Sequence, residues 1–90
     1  MDFYLMVQLS DKRLEELKTS VPKKIGDRVK TLRKKKGITQ THLSELVGKD
    51  RQYLYKIEKG KVTPNVVTIS AIAIALEIPL SEFFDIEINE

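Results

Sequence analysis

Residues Thr39–Glu58 read TQTHLSELVGKDRQYLYKIE, and this stretch decides the fold. Thr39 can cap a helix with its hydroxyl, and Leu43, Leu46 and Val47 follow at helical spacing as one apolar face. Gly48 stands one residue past the last of them. There a residue without a Cβ reaches the left-handed conformation cheaply and lets the chain turn sharply. Asp50 then caps a second helix, on which Leu54 and Ile57 face inward. Two short helices packed about a glycine turn are the expected result.

The second helix leaves Arg51, Gln52, Tyr53, Tyr55 and Lys56 pointing away from the core. Hydrogen-bonding and cationic side chains at the exposed N-terminal end of a helix suit contacts to base edges and phosphates in a major groove.

Ninety residues make one domain, large enough to bury a single core unaided. The chain has no cysteine, which excludes disulfides and thiolate metal sites, and its one histidine has no acidic cluster beside it. No nucleophile, base and orienter can be assembled from these residues, so a non-enzymatic protein without metal or cofactor is expected. The longest apolar runs, 3–7 and 71–76, are too short to span a bilayer. The N-terminus lacks the basic start of a signal peptide, so the expected place is the cytoplasm, away from membranes.

The formal charge of +3 is unevenly spread. Residues 1–20 carry 3 basic and 4 acidic groups, residues 21–62 carry 13 and 4, and residues 63–90 carry 0 and 5. The positive charge therefore coincides with the helix pair, which points to a polyanion for the centre and a different task for the acidic C-terminal part. The plain alternative for any one lysine run is a solvated face.

Along the rest of the chain, 3–9 (FYLMVQL) reads as a strand or as the first turn of a helix. Ser10 can cap a short helix through about Thr19, with Leu14 and Leu17 on one side, ending before Pro22. Pro22 then opens a helix to Lys36 in which Ile25, Val29 and Leu32 form one buried stripe. Arg33, Lys34, Lys35 and Lys36 occupy its last turn, favoured there by the helix dipole and within reach of phosphates, before Gly37. After a loop over 60–64, Asn65 is an N-cap for a helix from Val66 to Leu76, broken by Glu77, Ile78 and Pro79. A last short helix, Leu80 to Phe84, buries Phe83 or Phe84, and the alternating tail 85–90 can form an edge strand.

The segment from Ile25 to Phe84 resembles the Cro/repressor (XRE-like) helix-turn-helix family. The likeness rests on the Gly37-x-Thr39-Gln40 start, the turn at Gly48, the Ile57-Glu58-Lys59-Gly60 close and the Leu/Ile-rich fourth helix, in register and without a gap. It implies an all-α, five-helix lambda-repressor-like domain over 22–84, flanked by an N-terminal extension (1–21) and a short tail (85–90). It further implies binding to double-stranded operator DNA, usually as a symmetric homodimer on a palindrome, with half-sites about 34 Å apart.

Position by position, the resemblance gives Arg51 and Gln52 base contacts, since Arg pairs with guanine and Gln with adenine through two hydrogen bonds. Tyr55 and Lys56, one turn on, reach a base or the backbone. Gln40 and Thr39 at the head of the motif, Tyr53, Lys59 and Lys61 fall to the DNA backbone, where contacts position the protein without reading sequence, and the resemblance also has Gln40 brace the recognition helix. Arg33 and Glu58 match a structural ion pair. His42 stands where the family commonly has an acidic residue and reads as a plain surface histidine.

The chain departs from the family on helix 66–76, where Val67, Ala71 and Ile74 recur at i, i+4 and i+7 in places that usually carry Glu and Lys. They draw a second apolar stripe opposite Ile69, Ile72, Ala73 and Leu76. Three covers are open: solvent, the apolar segment 3–17 folded back over this helix or its counterpart in a second copy, or a homodimer seam. For function, the leading expectation is a dimeric transcriptional repressor. A restriction-modification controller is an alternative. An antitoxin-like module that binds a toxin, with DNA binding secondary, is another.

Overall fold

The computed structural model describes residues 6–88 of the chain. Five helices follow in order: α1 (Asp11–Lys35), α2 (Gln40–Val47), α3 (Arg51–Glu58), α4 (Val66–Ala75) and α5 (Leu80–Phe83). No strand occurs among the described residues, so the architecture is all-α.

The caps fall where the sequence put them. Ser10, Thr39, Asp50 and Asn65 each accept a hydrogen bond from the backbone N–H three residues on, at 2.8–3.0 Å. These bonds satisfy donors that a helix start otherwise leaves open. Gly37 and Gly60, at φ 74° and 72°, end α1 and α3 in left-handed turns. In the second of these, Lys61 N–H donates to the Lys56 carbonyl and Gly60 N–H to that of Ile57.

One core holds the helices together. Ile25, Val29 and Leu32 of α1 meet Leu43 of α2, Leu54 and Ile57 of α3, Ile69, Ile72 and Ala73 of α4, and Leu76, Ile78 and Phe83 beyond. α1 packs chiefly on α3, and α2 packs on both α3 and α4.

Several expectations are corrected. Pro22 does not open a helix but lies inside α1, which runs unbroken for 25 residues. Pro22 has no N–H to offer the Lys18 carbonyl, a loss of about 3 kcal/mol in an isolated helix. Here its ring is buried and Val21 packs on the core, so tertiary packing overrides the local preference. α1 therefore begins with an overhang, 11–20, that continues the core helix. Leu46 is 53% exposed, because Leu43, Ser44 and Val47 take the buried side of α2 and leave Leu46 outside that arc.

Residues 6–9 form neither strand nor helix, and 3–5 lie outside the described residues. The tail over 85–88 is likewise not a strand, having no strand to pair with among the described residues. It docks on α1 instead, through Ile86 on the core and the Lys24 Nζ that donates to the Glu87 carbonyl at 2.6 Å. Its last two residues, 89 and 90, lie outside the described ones. Of the two phenylalanines, Phe83 is buried and Phe84 is exposed, edge-on to it.

Folding of segment 3–17 back over α4 of the same chain does not occur among the described residues. Val67 and Ile74 are each 77% exposed, and residues 11–17 are committed to α1. Ala71, between them, is half-buried. Among the described residues the second apolar stripe on α4 is thus largely bare.

Candidate nucleic-acid interface

The site is built from the α2–α3 pair. Gly48, at φ 68°, turns the chain, and Lys49 N–H donates to the Ser44 carbonyl at 3.0 Å to close α2. Asp50 then starts α3 so that its first residues, Arg51 and Gln52, are exposed while Leu54 and Ile57 lock the opposite face. Tyr55 and Lys56, the next exposed positions, continue the same outer surface.

Behind α3 a buried polar network fixes its C-terminal end. Arg33 Nε donates to Glu58 Oε2 at 2.7 Å and Nη2 to Oε1 at 3.0 Å, while Nη1 donates to the Ile38 carbonyl at 2.8 Å. Gln40 Nε2 donates to Glu58 Oε1 at 2.9 Å. Three helices thereby meet at one carboxylate, α1 through Arg33, α2 through Gln40 and α3 through Glu58 itself, while Arg33 also ties in the turn before α2. A charge taken out of water is tolerated when its lone pairs are filled in this way.

The remaining sequence-derived positions divide. Thr39, Lys59 and Lys61 are exposed. Gln40 is half-buried, with its amide spent on Glu58, so it braces the motif from within. Tyr53 is half-buried against the core, with the Lys49 ammonium 5.5 Å from its ring centre. Tyr55 carries the Lys59 ammonium at 5.7 Å, a cation over a ring face that orders both side chains. His42 is exposed, its backbone N–H bound by Thr39.

Three residues that the sequence reading passed over position this site. Gly26 of α1 lies so close to α3 that a Cβ there would collide with the Ile57 carbonyl oxygen and come within 3.0 Å of that of Glu58. A glycine inside a helical stripe signals close backbone approach, and that signal was available. Arg28 donates through Nε to the Phe83 carbonyl at 3.1 Å and through Nη2 to that of Glu82, closing α5 onto α1. No local pattern marks that contact, since it joins residues 55 apart. Lys23 borders Gly60, as a Cβ on Gly60 would lie 2.8 Å from the Lys23 Cα.

Among the described residues no group of three or more His, Asp or Glu side chains is placed to hold a metal ion. No helix among them is long and apolar enough to cross a membrane.

A family model described as helix-turn-helix matches residues 29–83. The chain belongs to the Cro/repressor (XRE) helix-turn-helix family. This helix-turn-helix protein is 39% identical over 59 residues to the ImmF control region 10 kDa protein of Bacillus phage phi105, covering 66% of each chain. It is 39% identical over 57 residues to the Immunity repressor protein of the same phage, covering 63% of this chain and 40% of that one. The chain therefore spans 66% and 40% of the length of these two relatives. The crystal structure of the restriction-modification controller protein C.AhdI from Aeromonas hydrophila superimposes with a TM-score of 0.68 at 38% identity, covering 71% of this chain and 97% of that one. The family match begins well inside α1, so the overhang 11–20 lies outside it.

Proposed function

We propose that this helix-turn-helix protein is a sequence-specific DNA-binding transcriptional regulator that acts as a homodimer on palindromic operators. One observation carries the reading: the exposed Arg51–Gln52 end of α3 is held at its other end by the buried network of Arg33, Glu58 and Gln40. A rigid helix with free hydrogen-bonding side chains at its N-terminal end is what groove reading requires. In this reading Arg51 and Gln52 contact base edges, and Tyr55 and Lys56 extend the footprint. Thr39, Tyr53, Lys59 and Lys61 take the DNA backbone, and Gln40 supports it by holding Glu58.

Relatives named as an immunity repressor and a controller protein support regulation, with repression as the direction. The homodimer rests on α4, where Val67 and Ile74 present an apolar stripe that is largely bare among the described residues. Such a stripe is suited to an identical face across a two-fold axis.

Selection of binding sites from random duplexes tests the reading. A palindrome with half-sites about one helical turn apart is the expected product, bound with an affinity that falls steeply as salt rises. Enrichment of no common sequence, or binding indifferent to salt, would overturn it.

A further inference from the structure

The backbone contacts that the family resemblance assigns all lie on the helix pair and the loop after it, yet the structure brings a cation from the N-terminal half of α1 into the same place. Lys23 of α1 is exposed and sits against the turn at Gly60, where the two backbones touch: a Cβ on Gly60 would lie 2.8 Å from the Lys23 Cα and 3.2 Å from its nitrogen. Lys59 and Lys61, the residues on either side of Gly60, are exposed as well. The backbone contact at Gly60 thus sets the base of Lys23 beside the turn that carries Lys59 and Lys61.

None of the three pairs with a carboxylate among the described residues. The described part of the acidic tail, 85–88, does not neutralise them, because its Ile86 and Glu87 dock on α1 beside Lys24 and Arg28. Nor does the positive surface continue outward along α1. Between residues 11 and 18 three cations meet three carboxylates, with Arg13 on Glu16 and Lys18 on Glu15. Like charges gathered without a counter-charge raise the local potential and favour an anion that bridges them.

We propose that Lys23, Lys59 and Lys61 form one phosphate-binding cradle, so that α1 joins the helix pair in holding the DNA backbone. The proposal rests on the DNA-binding reading above. It adds a contact from α1 at a position outside the helix-turn-helix match, which starts at residue 29. The close approach at Gly60 fixes the base of Lys23 and the Tyr55 ring holds Lys59, so the stems of Lys23 and Lys61 are what must be ordered when a phosphate arrives.

The test is a salt titration of binding to the selected duplex, read by fluorescence anisotropy for the full chain and for Lys23→Gln, Lys23→Arg and Lys12→Gln. Each phosphate neutralised contributes about 0.9 to the slope of log affinity against log salt. Lys23→Gln should flatten the slope by about that amount and weaken specific and random duplexes by the same factor. Lys23→Arg should keep the slope. Lys12→Gln removes the same charge about 16 Å further along the helix and should leave the slope unchanged. A Lys23→Gln slope equal to that of the unmodified protein overturns the cradle while leaving DNA binding in place, as does an equal loss in Lys12→Gln, which would report net charge alone. Failure of the unmodified protein to bind any duplex overturns the DNA reading and the cradle with it.

Discussion

Arg33 and Glu58 meet through two parallel hydrogen bonds, at 2.7 and 3.0 Å, and so tie the last turn of α1 to the last residue of α3 in a buried setting. Removing either partner strands the other charge away from water. Arg33→Ala and Glu58→Ala should each cost about 3–5 kcal/mol in equilibrium urea unfolding. The double variant should lose much less than the sum, because it removes both buried charges together. Additive losses in that cycle would show that the pair contributes no coupling.

Gly26 gives a second prediction, of unusual sign. Gly→Ala inside an exposed helix gains about 1 kcal/mol. At position 26 the added methyl meets the Ile57 carbonyl oxygen, which α3 cannot withdraw without opening the core around Leu54 and Ile57. Gly26→Ala should therefore destabilise by about 1–3 kcal/mol, as overpacking does, and lower the melting temperature by at least about 4 °C. An unchanged or raised melting temperature would mean that α1 and α3 are not in backbone contact.

Much of this was legible in the sequence because it is local. Caps at Thr39, Asp50 and Asn65, and the turns at Gly37, Gly48 and Gly60, act within a few residues, so spacing alone locates them. Pro22 misled for the complementary reason. Its local preference is to start a helix, and only burial against distant residues makes an uninterrupted α1 favourable. Leu46 misled because an eight-residue helix has room for a narrow buried arc, and spacing does not say on which side of Leu43 that arc falls. Arg28 and Lys23 stayed hidden because their partners, Phe83 and Gly60, lie far along the chain. At the candidate interface the sequence singled out Arg51, Gln52, Tyr55 and Lys56, all of which are exposed on α3. The family resemblance has Gln40 brace the recognition helix, and the structure supplies the partner, the Glu58 carboxylate, which lies 18 residues on.

Glu77 has a φ of 58°, a left-handed conformation at a residue with a Cβ. It ends α4 in the pattern usually built with glycine: Ile78 N–H donates to the Ala73 carbonyl at 3.0 Å and Glu77 N–H to that of Ile74 at 3.0 Å. The left-handed conformation costs such a residue about 1–2 kcal/mol, partly offset in a glycine variant by the greater entropy of its unfolded chain. Glu77→Gly should consequently stabilise by about 0.5–1 kcal/mol in urea unfolding. A loss of stability would show that the Glu77 side chain contributes more than its backbone strain removes.

Base reading and backbone grip separate in a fourth experiment. Arg51 is exposed at the start of α3, whereas Lys61 lies past its end beside Gly60. Arg51→Ala should relax the preference at one base position, by about 1–3 kcal/mol of discrimination, when its selected sites are compared with those of the unmodified protein. Lys61→Ala should weaken all duplexes about equally and leave the selected sequence unchanged. Exchange of these two phenotypes would reverse the assigned orientation of α3 on DNA.

The α4 stripe supplies the last prediction. In a monomer Val67 and Ile74, each 77% exposed, gain nothing by being apolar, and replacing them with aspartate would be neutral or helpful to solubility. Across a two-fold seam the same change buries carboxylates against apolar partners, which they cannot share without a counter-charge. Ile74→Asp should thus shift the protein from dimer to monomer in sedimentation equilibrium while its far-ultraviolet circular dichroism stays unchanged. Half-site binding would survive in this variant, but the two half-sites of a palindrome would be filled independently, with a fall in affinity for the full site. Persistence of the dimer in Ile74→Asp and in Val67→Asp would place the seam elsewhere and leave solvent as the cover of this face.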